Sequence, residues 1–304
     1  MDYKKLFKTH KLRAAILNLV RFVPDKPMIR FQYRLSLKRR LNLKDPKRYT
    51  EKLQWYKLYY RNPVMHKCVD KYAVREFVRE RGLEDILVPL YGRYDSIDEV
   101  DWEALPDSFV VKTTFGGGGL DVVLCRDKKE LDIEALRKKF DFRPGKVKYG
   151  TGGREWAYFG IPKAIVVEEL LVNEEHPESG VNDYKFFCYD GKAKFIYLDV
   201  DRFVDHKRKF FDRDWNDLNI ISEYKLLKDD VPKPANLNEM IETAEKLASG
   251  FPYVRVDLYS VSGKIYFGEM TFYPWSGYIQ FVPDEADMLF AKDLELRKFE
   301  ANEG

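Results

Sequence analysis

Two carboxylates on neighbouring candidate strands offer the clearest chemistry in this chain. Within Tyr253 to Gly277, YVRVDLYSVSGKIYFGEMTFYPWSG, Val254, Val256 and Leu258 alternate with Arg255, Asp257 and Tyr259. That is the period of a half-buried strand. A Ser-Gly turn at Ser262 and Gly263 leads into a second strand from about Ile265 to Thr271, so the stretch reads as a hairpin. Register decides whether Asp257 and Glu269 meet. With Val261 opposite Ile265 and a three-residue loop, Asp257 faces Glu269, whereas an even-numbered loop without a bulge separates them onto opposite faces. Like charges set directly across a sheet repel, so such a pair calls for a cation. Two hard oxygen ligands suit Mg²⁺ bridging substrate phosphates. Arg255 adds a candidate catalytic cation beside them. The plain alternative is an edge hairpin whose acids point into water.

Other stretches carry chemistry of the same kind. Lys112 ends a candidate strand and runs into Thr113, Thr114, Phe115 and four glycines, Gly116, Gly117, Gly118 and Gly119. Consecutive glycines permit positive φ and close approach of backbone to a ligand, which suits a flap over phosphates. No GK[ST] and no helix follows, so this is neither a P-loop nor a dinucleotide-binding turn. A Gly-rich hairpin turn is the plainer reading. Lys71 falls in the first turn of a predicted helix over Asp70 to Arg81, where the helix dipole disfavours a cation unless an anion is close. The apolar run IVVEELL, residues 165 to 171, ends in Glu168 and Glu169 and suits a nucleotide hinge, with Glu174 or Glu175 beyond it for ribose hydroxyls. A second hairpin spans residues 183 to 202, turned by Asp190 and Gly191, with Asp183, Lys185 and Arg202 at its open end. The cationic stretch His206 to Lys209 follows it, and cations beside carboxylate-bearing strands are what phosphoryl chemistry needs.

The elements that must position these groups belong to an α+β chain. Short strands are expected at 87–90, 108–112, 121–125 and 164–168, and helices at 28–41, 49–61, 133–140 and 238–248. Pro24 and Pro27 are expected to interrupt helix, and residues 141–160 read as a mobile surface loop. The 304 residues suit two or three packed lobes. We divide them into a basic helical region over 1–66, a lobe with the Gly-rich flap over 67–172, and a lobe with the metal site over 173–304.

Composition narrows the function classes. The 53 basic and 50 acidic residues nearly cancel, so net charge gives no argument for nucleic acid. Cys68, Cys125 and Cys188 show no metal-ligand spacing and fit a reducing cytoplasm without disulfides. His10, His66, His176 and His206 form no zinc motif. There is no secretory h-region, and no apolar run reaches the ~20 residues that span a bilayer. Residues 4–22 combine helical apolar spacing with six Lys/Arg. They suit either weak contact with the inner face of a membrane or a packed helix with a solvated basic face.

In their order along the chain these pieces resemble the ATP-grasp superfamily, closest to its teichuronopeptide-biosynthesis (TupA-like) branch. The resemblance is carried by residues 46–63, CVDKYAVREFV (68–78), LVPLYG (87–92), VVEELL (166–171), DYKFFCYDGK (183–192), FFDRDW (210–215) and 254–277. It implies two α+β lobes holding ATP between them. By that resemblance Lys71 and Lys112 bind the α/β-phosphates, and Gly116 to Gly119 with Thr114 cover the triphosphate. Glu168 and the backbone of Glu169 to Leu171 hold adenine, and Glu175 the ribose. Arg202 and Lys185 contact the γ-phosphate. Asp257, Glu269 and Thr271 carry Mg²⁺, with Mn²⁺ an alternative. The family's usual last metal ligand is Asn where this chain has Thr271, and its flap often carries His where this chain has Phe115.

The activity this implies is an ADP-forming carboxylate-amine ligase working on a uronic acid of a capsular or cell-wall polysaccharide or its precursor. Its partners would be a carboxylate acceptor and an amine donor, on a cytoplasmic protein that pairs as a homodimer. Two other readings stand beside it. One is a nucleotide-sugar glycosyltransferase using the D-x-D pairs Asp199/Asp201 or Asp212/Asp214, and the other is a non-catalytic membrane-docked scaffold.

Overall fold

The computed structural model describes residues 22–116, 121–142, 145–148, 152–173 and 176–296. Nearly all of the expected basic helix at 4–22, together with Gly117, Gly118, Gly119, Glu174 and Glu175, lies outside the described residues.

Two sheets organise the chain. The smaller contains β1 (Leu90–Tyr94), β2 (Phe109–Thr113), β3 (Val122–Cys125) and β4 (Ile165–Glu168), in the order β1-β4-β2-β3 with antiparallel pairing. Helix α5 (Ile133–Lys139) caps its own N-terminus through Asp132, whose side chain accepts from the Ala135 N–H. Its buried Leu136 joins Phe109, Val111, Ile165 and Val167 in a small separate core.

The larger sheet contains β5 (Asp183–Tyr189), β6 (Lys192–Val200), β7 (Lys207–Asp212), β8 (Lys225–Leu226), β9 (Tyr253–Val261) and β10 (Lys264–Thr271). Its order is β10-β9-β5-β6-β7-β8. Alternation along the strands gives the sheet two unlike faces. Val254, Val256, Leu258, Phe186, Cys188 and Ile196 form the apolar one. Helix α6 (Leu237–Ala248) packs on β9, β5 and β6. Its buried Leu237, Met240, Ile241, Ala244 and Leu247 recur at helical spacing. The other face carries Asp183, Lys185, Asp199, Arg208, Arg255, Asp257 and Glu269.

The N-terminal helices share the large sheet's core. They are α1 (Asp25–Leu37), α2 (Tyr49–Tyr59), α3 (Val64–Val69) and α4 (Val74–Glu80). Tyr49 and Tyr56 of α2 are fully buried against Tyr253, the first hydroxyl to hydroxyl at 2.6 Å and the second donating to the Tyr253 carbonyl at 2.9 Å. Near the C-terminus, Asp287 of α7 (Ala286–Leu289) accepts from the N–H and hydroxyl of Thr50 at 2.9 and 2.8 Å.

Several local expectations shift. Pro27 lies inside α1, in the first turn, where its missing N–H has no intrahelical partner to lose. Helix α4 begins at Val74 because Asp70 ties up the turn before it, accepting from the Tyr72 and Ala73 N–H groups. The part of 141–160 that is described from 152 onward is packed rather than loose. Ala157 is fully buried, and the Trp156 ring sits 4.2 Å from His66.

Candidate active site

The β9–β10 hairpin brings Asp257 and Glu269 together by a route other than a three-residue loop. Val261 pairs with Lys264, so the turn is the two residues Ser262 and Gly263, both at positive φ (49° and 80°). An even turn alone would set the two acids on opposite faces. A bulge between Phe267 and Glu269 restores the match, and Asp257 lies directly opposite Glu269. The residue skipped is Gly268, where a Cβ would come 2.9 Å from the Asp257 carbonyl oxygen. The bulge therefore requires glycine, and the carboxylate pair depends on it.

Both acids sit in a network of alternating charge. Arg255 Nε and Nη2 each donate to Asp257 at 2.6 Å. The same Nη2 also reaches Glu269 Oε1 at 3.0 Å and Thr271 Oγ1 at 3.1 Å. One cationic nitrogen thus stands where oxygens of Asp257, Glu269 and Thr271 converge. These are the three residues expected to hold the metal, and hard carboxylate and hydroxyl oxygens meeting at one point suit Mg²⁺. Lys185 bridges Asp183 and Asp257, and Arg202 donates to Asp183 at 2.7 Å. Burial alone would raise Glu269, but Arg255, Lys185 and Lys71 outweigh it and bring its pKa down to about 2. Burial pushes the Asp257 carboxyl up, against the pull of Arg255 and Lys185.

A cleft of about 620 Å³ lies between the sheets and gathers most of the expected residues. Lys71, Lys112, Gly116, Glu169, Leu171, Lys185, Arg202, Arg255, Asp257, Glu269 and Thr271 all line it. Lys71 reaches across to the small lobe, its Nζ donating to the Gly116 carbonyl and its N–H to the Thr114 carbonyl. Burial lowers its pKa. Val88, Val110, Leu124, Leu170 and Val172 give one end of the cleft apolar walls of the kind that sandwich a planar base.

Three expected roles need correction. The Thr114 hydroxyl does not face the cleft; it donates to the Pro162 carbonyl and accepts from the Ala164 N–H, so it closes a loop. The Glu168 carboxylate is not an adenine contact. Strand alternation turns it inward, where it pairs with Lys112 and, at 3.3 Å, with Arg75, and so holds Lys112 in place. The Glu169 N–H is not offered to the cleft, because it donates to the Pro89 carbonyl.

The cleft's other end is formed by residues the sequence did not single out as a pocket. Trp275 and Ser276 both hold left-handed backbone, at φ 52° and 56°. Non-glycine residues in that region store strain and persist only where surrounding structure fixes them. Here α2 does so, since Gln54 donates to the Ser276 and Gly277 carbonyls and Lys57 to the Ser276 carbonyl and hydroxyl. Lys57 is buried, which lowers its pKa to about 8. Arg208 lies 4.2 Å from the Tyr197 ring centre, 4.7 Å from that of Tyr224 and 5.5 Å from that of Trp275. It pairs with both oxygens of Asp199 at 2.7 and 3.0 Å. No local pattern announces this end, because its members come from β6, β7, the loop carrying Tyr224 and the turn after β10.

The D-x-D pairs are used internally. Asp199 is held by Arg208, Asp201 pairs with Lys207, and Asp212 accepts from the N–H groups of Asp214 and Asn216 in a tight turn. Among the described residues no helix is long and apolar enough to cross a membrane.

Comparison with known proteins places the chain in a family and finds distant structural likenesses. No curated protein matches the chain. Solved structures similar to it include D-alanine–D-alanine ligase from Bacillus anthracis, at 22% identity over 68% of this chain and 57% of that chain, TM-score 0.39. The corresponding ligase from Helicobacter pylori is 16% identical over 75% of this chain and 61% of that one, TM-score 0.42. ATP-grasp ligase PsnB, complexed with a phosphomimetic variant of its minimal precursor, Mg and ADP, is 12% identical over 79% of this chain and 60% of that one, TM-score 0.42. The chain thus spans less than two thirds of the length of each. The family model described as TupA-like ATPgrasp matches residues 51–294. With that match covering well over half of its length, the chain belongs to the TupA-like ATP-grasp family.

Proposed function

We propose that the protein is an ATP-dependent carboxylate-amine ligase that forms an amide through an acylphosphate. Its carboxylate substrate would be a uronic acid of a surface polysaccharide or its precursor. The observation that carries this reading is the convergence of Asp257, Glu269 and Thr271 oxygens on one cation, 2.6 to 3.1 Å from Arg255 Nη2, on the floor of the cleft. Asp257, Glu269 and Thr271 would hold Mg²⁺, which would supply neutralising charge for the β- and γ-phosphates.

The chain's own groups supply positioning and fixed charge. Adenine enters between the apolar walls formed by Val88, Val110, Leu124 and Leu170 to Val172. Lys71 and Lys112 meet the α/β-phosphates, Lys112 already aimed by Glu168. Arg202 and Lys185, fixed by Asp183, face the γ-phosphate. A substrate carboxylate oxygen attacks the γ-phosphorus and ADP leaves, so no protein nucleophile is needed. Preorganised cations meet the developing charge without reorganising, and holding the two reactants in line removes much of the entropic barrier. Arg255, held on Asp257 and within reach of Glu269 and Thr271, adds a third cation beside Arg202 and Lys185.

The test is ADP release, measured with ATP and Mg²⁺ across a panel of uronic acids paired with amino acids and amino alcohols. Release that needs both a carboxylate and an amine supports the proposal. Sugar transfer from a nucleotide sugar, with no ADP formed from ATP, would replace the ligase with a glycosyltransferase.

A further inference from the structure

Beyond the metal carboxylates the polar face of the large sheet continues to a second titratable pair. On β6, Asp199 sits directly across from Asp183 on β5 and from Arg208 on β7. His206, just before β7, places Nε2 3.1 Å from Asp199 Oδ1, off the line of an ideal hydrogen bond, and its ring lies 3.8 Å from that of Tyr224. Both His206 and Asp199 line the cleft. The imidazole is thus fixed on one edge by a carboxylate and on one face by an aromatic ring. Arg208 locks the carboxylate in turn through two hydrogen bonds.

Strand order gives this pair a place in the reaction. The metal carboxylates stand on β10 and β9, the γ-phosphate cations on β5 and just after β6, and the His206–Asp199 pair at β6 and β7. Asp199 is two strands from Asp257, about 10 Å at ~4.8 Å per strand. Along the sheet the pair therefore lies past Lys185, on the far side from the metal carboxylates, and still lines the same cleft. The charged groups on the neighbouring elements are Asp199, paired with Arg208, which also reaches Glu223 at 3.3 Å, and on the loop of His206 the pairs Asp201–Lys207 and Asp205–Lys225.

We infer that His206, oriented by Asp199, is the base that takes the proton from the amine nucleophile. This rests on the ligase reading above. The amine arrives in its neutral form. Its lone pair forms the C–N bond at the acyl carbon, and the N–H proton passes to Nδ1 of His206. The C–O bond to phosphorus-bearing oxygen then breaks, and that oxygen keeps the electron pair. The imidazolium hands its proton to the departing phosphate, so the sum is amine plus acylphosphate giving amide plus hydrogen phosphate. A positioned base of this kind contributes on the order of 10²- to 10⁴-fold.

Two measurements test it. In ¹⁵N-histidine NMR of the full chain, His206 should be the Nε2–H tautomer, leaving Nδ1 as acceptor, and Asp199→Asn should abolish that preference. An Nδ1–H tautomer overturns the proposal. With the carboxylate that wild type accepts and the amide product itself quantified, His206→Asn should slow amide formation from a primary amine by ~10²-fold or more. Hydroxamate formation from hydroxylamine, whose adduct loses its proton readily to water, should be little changed. Equal loss with both nucleophiles would make His206 a structural residue and overturn the base. A wild-type protein that releases no ADP with any carboxylate overturns the ligase reading itself, a result distinguishable because it precedes the variant.

Discussion

The two walls of the cleft are built on different plans. On the large sheet, charge is dense and internally paired: Asp183, Lys185, Arg202, Arg255, Asp257 and Glu269 satisfy one another across β5, β9 and β10. That sheet shares one continuous core with α2, α6 and α7. The small lobe has a separate and much smaller core, and offers the cleft apolar side chains such as Val110, Val122 and Leu124 together with Lys112, which is aimed by Glu168. Chemistry that needs fixed charge sits on the wall that is hardest to deform. The wall that would cover a nucleotide under the proposed function is more apolar and has the smaller core.

The sharpest way to break this contrast is Arg255→Ala. It leaves Asp257 buried without its bidentate partner and should cost about 3–5 kcal/mol of stability by chemical denaturation. Because the same oxygens suit Mg²⁺, millimolar Mg²⁺ should recover part of that loss in the variant and add little to wild type. Recovery by neither Mg²⁺ nor Mn²⁺ would show that the three oxygens do not form a cation site. Gly268→Ala should come next, at about 1–3 kcal/mol, because a Cβ there presses on the Asp257 carbonyl. Its signature is a loss of ATP affinity alongside stability, since the bulge sets the register of Glu269.

Lys57 probes the brace between α2 and the strained Trp275–Ser276 turn. Its folded pKa, about 8, lies below the unfolded value of 10.5. The cost of burying the ammonium is therefore full below pH 8 and is relieved as pH climbs toward 10.5. Relative to Lys57→Met, wild type should gain stability across that window, by at most ~1.4 kcal/mol per pH unit. A flat difference between the two proteins would mean the ammonium is not buried in solution. The mildest effect on stability belongs to the small lobe. Lys112→Ala should cost less than Arg255→Ala, since Lys112 is part-exposed, makes one ion pair with Glu168 and leaves that buried carboxylate its Arg75 partner. Its ATP affinity should fall ~10-fold or more, the equivalent of ~1.4 kcal/mol, and a stability loss as large as that of Arg255→Ala would erase the contrast between the walls.

How much of this was readable in the sequence follows from how local each signal is. Alternation placed the hairpins at 183–202 and 253–271 and put Asp257 and Glu269 on adjacent strands. The bulge at Gly268 was not visible, because a glycine inside a strand carries no mark of register. Lys71, Lys112 and Arg202 were picked out through their neighbours in order along the chain, and all three line the cleft. Thr114 and Glu168 were misassigned because whether a side chain turns toward the cleft or into the lobe depends on packing partners far away in sequence, Ala164 for one and Arg75 for the other. The Tyr197–Tyr224–Trp275 end, braced by Lys57, is assembled from four separate segments and has no linear pattern to read.

The most direct test of the central claim is the thermal midpoint of wild type and Asp257→Asn with ATP, with and without Mg²⁺. A ligand that binds only the folded state raises the midpoint through RT ln(1 + [L]/Kd). Wild type should show a rise with ATP that requires Mg²⁺, and Asp257→Asn should lose the Mg²⁺-dependent part. An unchanged Mg²⁺-dependent rise in the variant, or a rise in wild type only with a nucleotide sugar, would contradict the placement of the metal and nucleotide on β9 and β10.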